Sequence, residues 1–199
     1  MRVALGIVLA ALLTGACGGA EHELVGVRRD PAPRVDAVAL PDVSRDGDPF
    51  TLRAPADGTL LVYFGYTNCP DVCPTTLANV RAALGELGDD ADRVDVAMVT
   101  VDPGRDTDVL ASYVQAFVPD AHALATDDGT ALRTVADSFG VFYDVATSDD
   151  GEVDVAHTSA LFAVDDTGTL ALTWLFAHDA VTSADDLAAD IGQLLEEAA

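Results

Sequence analysis

The 199-residue chain contains no lysine. All ten basic residues are arginine, set against thirty-four Asp and Glu, for a formal net charge of −24 at pH 7. Phosphate binding needs a basic face, so this shortage of positive charge argues against nucleic acid as a partner. A cationic partner or a metal stays open, and the acid excess itself reads as a solvated surface. Cysteine is also scarce, with only Cys17, Cys69 and Cys73. No internal repeat is visible. The one long apolar stretch, residues 3–13, is too short for a spanning helix. Half of the residues are nonetheless hydrophobic, so a sizeable core and one domain with appendages are expected.

The N-terminal stretch reads as a secretory signal over residues 1–16. Arg2 supplies the positive start, residues 3–13 the apolar region, and Thr14, Gly15 and Ala16 the small residues before Cys17. This resembles a bacterial lipoprotein signal, which makes Cys17 the acylated N-terminus and anchors the chain on the outer face of the cell membrane. Residues 17–34 are polar, with Pro31 and Pro33, and read as a flexible tether that leaves His22 solvated. With Cys17 assigned to lipid, Cys69 and Cys73 remain as the only thiol pair.

These two cysteines stand four residues apart in Cys69-Pro70-Asp71-Val72-Cys73-Pro74. The apolar run 60–64 before them reads as a buried strand. Residues 75–87 after them read as a helix with Leu77, Val80, Leu84 and Leu87 on its apolar face. A helix beginning near Cys69 puts both sulfurs on one face. Its N-terminus favours thiolates, which suit redox chemistry or soft-metal ligation. The bland alternative is a structural disulfide, but a bridge within one helical turn closes a tiny loop and stabilises little.

Elsewhere the pattern predicts a small leading hairpin around Asp46-Gly47-Asp48, then strand 60–65, helix 70–87 and strand 94–101. A helix over 107–118 follows, ended by Pro119. A short strand at 122–125 precedes a helix over 129–139 closed by Gly140. The chain finishes with strand 159–164, a turn at 165–168, strand 170–176 and a helix from 184 to about 197 capped by Ser183. This order predicts an α/β sandwich over residues 35–199, with a mixed central sheet and flanking helices.

Four stretches together resemble the Sco (SenC) family: Phe64-Gly65-Tyr66-Thr67, the two-cysteine motif, Val101-Asp102-Pro103-Gly104-Arg105-Asp106-Thr107, and Val155-Ala156-His157-Thr158. The resemblance covers roughly residues 45–180 and implies a thioredoxin-like fold. It also implies that Cys69, Cys73 and His157 hold one copper ion, a donor set that suits Cu(I). It makes the chain a metallochaperone, not an enzyme. The work implied is assembly of the dinuclear copper centre in cytochrome c oxidase subunit II, or service to another copper-accepting protein. Copper delivery and reduction of the target's thiols are both open, with the Cys69–Cys73 pair cycling through a disulfide in the second mode. His157 is expected in the loop entering strand 159–164; without the resemblance it reads as a loop histidine bonded to backbone.

Asp102 is either a group beside the metal or a turn-former before Pro103, with Asp106 and Thr107 capping the next helix and Arg105 paired to a neighbouring carboxylate. His122 and His178 lack a motif and read as surface or hydrogen-bonded histidines. The competing function is a thiol–disulfide oxidoreductase or peroxidase of the thioredoxin superfamily. Against it stand the three residues between the cysteines and the absence of proline after Pro119, where oxidoreductases of that fold carry a cis-proline facing the thiols.

Overall fold

A computed structural model describes residues 22–176 and 182–199; Cys17, the signal and His178 lie outside them. A seven-stranded mixed sheet forms the centre, in the order β2-β1-β5-β4-β3-β8-β9. Its axis is β3 (Thr59–Gly65), parallel to β4 (Val94–Thr100) and antiparallel to β8 (Ala160–Val164). β5 (His122–Leu124) continues the parallel set, and the hairpin of β1 (Leu40–Asp42) and β2 (Asp48–Phe50) closes that edge. β9 (Leu170–Leu175) pairs with β8 at the other edge.

Every residue of β3 is buried, as expected of a strand covered on both faces. Its alternation sorts the core into two layers. Leu61 and Tyr63 face helix α1 (Val72–Leu87) and the C-terminal helix α5 (Ala184–Ala198). Leu60, Val62 and Phe64 face helix α4 (Gly129–Phe139), where Phe64, Phe139 and Phe162 meet edge to face. Local chemistry bounds these helices. Asp128 accepts from the Thr130 and Ala131 amides at the start of α4, and Gly140 ends it at φ 72°. Ser183 accepts the Asp186 amide at the start of α5.

Three expectations change. The helix expected over 107–118 is two short pieces, α2 (Pro103–Asp106) and α3 (Leu110–Gln115). Asp106 caps neither of them, because its carboxylate turns inward to other partners. A hairpin of β6 (Tyr143–Thr147) and β7 (Val153–His157) stands apart from the main sheet, where the sequence reading placed no strand.

The third change concerns the part of the tether from His22 onward, which docks on the domain instead of hanging free. Val27 pairs with Thr173 through two backbone hydrogen bonds of 2.9 and 3.0 Å. The buried carboxylate of Asp190 accepts from His22 Nε2 (2.6 Å), the amides of Val25 (3.2 Å) and Gly26 (2.7 Å), and Trp174 Nε1 (2.7 Å). A polar, proline-bearing stretch gives no apolar signal of such docking; the donors are mostly backbone and the acceptor lies far away in sequence. Among the described residues, no helix is long and apolar enough to cross a membrane.

Candidate metal centre

The site lies where β3 hands over to α1. Val101 N–H donates to the Gly65 carbonyl (2.9 Å), holding the ends of β3 and β4 together. The chain then loops through 66–71 to the first turn of α1. Cys73 lies inside that turn, wholly buried, while Cys69 precedes the helix and is half-buried. The helix begins at Val72, three residues later than a start at Cys69, yet the sulfurs still converge. The Cys73 amide donates to Cys69 Sγ at 3.3 Å, so the sulfur takes up one of the unpaired donors of the helix start. Gly65 is needed for this closeness: a Cβ there would lie 2.7 Å from Tyr63 Cε1 and 3.1 Å from Cys73 Sγ.

The expectation of easily ionised thiols fails for Cys73. Burial pushes its thiol up to about 12, and Cys69 beside it adds to the rise. Complete removal from water shifts a group by several pKa units. A helix N-terminus supplies only about 1 kcal/mol, less than one unit, so desolvation wins.

His157 arrives from the hairpin. It is the last residue of β7, not part of a loop, and stands opposite Tyr143 on β6. Thr158 fixes its neighbour Phe142 in both directions, donating its amide to the Phe142 carbonyl (2.9 Å) and accepting the Phe142 amide at Oγ1 (3.1 Å). His157 Nδ1 lies 3.1 Å from the Thr158 carbonyl. A carbonyl only accepts, so Nδ1 carries the proton and Nε2 keeps its lone pair. Burial lowers the imidazole pKa, with the Thr158 bond opposing, and the ring is neutral at pH 7. Nε2 lies 3.8 Å from Cys73 Sγ. The rings of Tyr63 and Tyr66 approach the imidazole edge to face.

Among the described residues, Cys69, Cys73 and His157 form the one group of three or more potential metal ligands, with donor atoms within 4.8 Å of one another. Cys69 and His157 open onto a shallow cleft of about 350 Å³ walled by Tyr66, Pro70, Val72 and Val155, with Cys73 buried beneath it. Two soft sulfurs and one neutral imidazole fit a soft monovalent ion. A closed structural zinc site needs a fourth protein ligand. Asp102 is not in this group: Arg105 Nε donates to its carboxylate, and the Asp102 amide donates to Thr100 Oγ1 (3.0 Å). His122 is taken up by Asp42, its Nδ1 2.7 Å from Oδ2.

Two features of this region escaped the sequence reading. Tyr63 and Tyr113 place their hydroxyls out of water beside the thiols, without a hydrogen-bond partner among the described residues. Burial, reinforced by the nearby sulfurs, raises both phenols. A tyrosine in an apolar strand carries no signal of this.

The mixed sheet, the flanking helices and the thiol pair at the start of α1 define a thioredoxin-like domain with a two-cysteine, one-histidine constellation. The SCO1/SenC family model matches residues 42–196, and the chain belongs to that family. The solution structure of apo Sco1 from Thermus thermophilus is similar at a TM-score of 0.74 with 36% identity, covering 88% of this chain and 99% of the other. Bradyrhizobium japonicum ScoI, solved with copper bound, matches at a TM-score of 0.64 with 29% identity, covering 79% and 96% of the two chains. The SCO2-like protein RP587 of Rickettsia prowazekii is 35% identical over 111 residues, 54% of each chain, so this match spans about half of that relative.

Proposed function

We propose that the chain is a copper metallochaperone that holds one Cu(I) through Cys69, Cys73 and His157 and serves assembly of the dinuclear copper centre of cytochrome c oxidase. The observation that carries the reading is the convergence of two sulfurs and an imidazole nitrogen whose lone pair is freed by the Thr158 carbonyl. Copper is the cargo, and it brings a preference for thiolate and imidazole over oxygen ligands. The chain's own residues supply the rest. His157 enters neutral, so it loses no proton on binding. Cys73 enters protonated, so binding releases a proton.

The copper-bound ScoI relative supports the choice of metal. Family membership supports the oxidase as target, by copper delivery to subunit II or by reduction of its thiols. The lipid anchor at Cys17 and the extracytoplasmic location complete the proposal. The anchor is tested by the N-terminal mass of the membrane fraction, where an unmodified Met1 refutes it. The alternative, a thiol–disulfide oxidoreductase, needs only the two cysteines. The deciding experiment is anaerobic titration of the reduced chain with Cu(I). One ion per chain is expected, with loss of tight binding in Cys69→Ser and His157→Ala. Parent-like affinity in both variants refutes the site.

A further inference from the structure

The loop that carries Cys69 is fastened by one residue that the metal site does not use. Asp106 is wholly buried, and among the described residues no arginine or histidine contacts its carboxylate. Its three partners are all uncharged donors: the Thr67 amide (3.0 Å), Thr67 Oγ1 (2.6 Å) and Thr100 Oγ1 (2.6 Å). Thr100 ends β4, and Thr67 lies two residues before Cys69 in the loop that leaves β3. The Cys69 amide in turn donates to the Tyr66 carbonyl at 3.3 Å, so the stretch between clamp and cysteine is a single tight turn.

We propose that Asp106 is a positioning residue for Cys69. Its carboxylate clamps Thr67 to the end of β4 and thereby sets where the Cys69 sulfur stands relative to Cys73 and His157. This rests on the metal-site reading given above. Burying a carboxylate is costly, and α2 gains no cap from it. The three charge-assisted bonds offset that cost, two of them to Thr67 in the loop before Cys69 and one to Thr100 at the end of β4. Residues behind metal ligands typically matter to affinity by about 10- to 100-fold. The neighbouring carboxylate of Asp102 points to Arg105 and does no such work.

The experiment uses the reduced full chain and the variants Asp106→Asn, Thr67→Val and, as control, Asp190→Asn. The control disturbs a buried carboxylate that holds the N-terminal segment. The first readout is Cu(I) affinity by competition with a chromophoric chelator. The second needs no metal: equilibrium with glutathione disulfide. There, two electrons pass from the Cys69 and Cys73 thiols, the S–S bond of glutathione breaks as the Cys69–Cys73 bond forms, and two protons end on glutathione sulfurs.

Asp106→Asn is expected to lose about 10- to 100-fold in Cu(I) affinity. It should shift the disulfide equilibrium about tenfold toward the dithiol, because a loosened Cys69 meets Cys73 at lower effective concentration. Thr67→Val, a milder change, should move both in the same direction, while Asp190→Asn lowers Tm and moves neither. Values for Asp106→Asn and Thr67→Val within twofold of the parent, or equal shifts in Asp190→Asn, overturn the proposal. If Asp106→Asn does not fold, Thr67→Val decides alone. If the parent itself binds no Cu(I), the metal reading falls, and the glutathione equilibrium still decides the role of Asp106.

Discussion

Alkylation of the reduced protein at pH 8 should modify Cys69 and spare Cys73. The perturbation is iodoacetamide, which reacts with thiolates. An ordinary thiol, at 9.0, is about one-tenth ionised at pH 8; one pushed up to about 12 is ionised in roughly one molecule in 10⁴. Protonation alone therefore slows Cys73 about a thousandfold relative to an ordinary thiol, before its lack of exposure is counted. Its rate should climb about tenfold per pH unit until the fold gives way. The same proton links metal binding to pH: Cys73 must release it to become a ligand, so Cu(I) affinity should rise by at least about tenfold per unit between pH 6 and 8. His157, already neutral, adds nothing to that slope above its lowered pKa. The assay is peptide mass spectrometry over a time course, with a denatured control in which both cysteines react alike. Equal native rates at the two cysteines, or a Cu(I) affinity flat with pH, refute the reasoning.

Gly65→Ala should lower stability by about 1–3 kcal/mol, because its Cβ intrudes on Tyr63 and on Cys73; the melting temperature checks this, and parent-like stability refutes it. Asp190→Ala should cost about 1–3 kcal/mol by orphaning the buried Trp174 N–H, and should free residues 22–27. Hydrogen exchange at the Val27 amide measures that release, and continued protection there shows the docking to be independent of Asp190. Amides of β6 and β7 should exchange ahead of those in β3 and β4, since most hairpin residues are exposed while β3 is buried throughout. Equal protection contradicts that order.

Much of the fold could be read from the chain because its signals are local. The apolar run at 60–64, the Gly140 stop and the Ser183 cap each bound an element within a few residues. The β6–β7 hairpin was not read, although Tyr143, Val145 and Thr147 and then Val153, Val155 and His157 alternate about the turn at 148–152. It is masked by short, polar-faced strands that bury little. The thiol pair was visible from spacing alone, whereas His157 needed the family resemblance, being eighty-four residues from Cys73. The inward turn of Asp106 and the docking of Val25 and Gly26 on Asp190 could not be read. Each joins groups far apart in sequence through polar contacts that leave no periodic trace. The high position of the Cys73 thiol escaped for a related reason: depth of burial is a property of the packed core, while proximity to a helix start is a property of the chain.

The three donor atoms come from two elements with different ties to the body, and this bears on how the site can both hold and release an ion. Cys69 and Cys73 are fixed by α1, by β3 and by the Asp106 clamp, all rooted in the core layer around Leu77 and Met98. His157 stands at the end of a hairpin that, among the described residues, forms its own two-stranded sheet outside the main one. A sulfur pair held rigidly keeps its geometry whether or not the imidazole is present. Most residues of the hairpin are exposed, so its local opening leaves the main sheet paired. Of the three donors, Cys69 and His157 line the cleft, while Cys73 lies buried behind them. The split between a sulfur pair rooted in the core and a third ligand on a separate hairpin follows from where the chain places its elements.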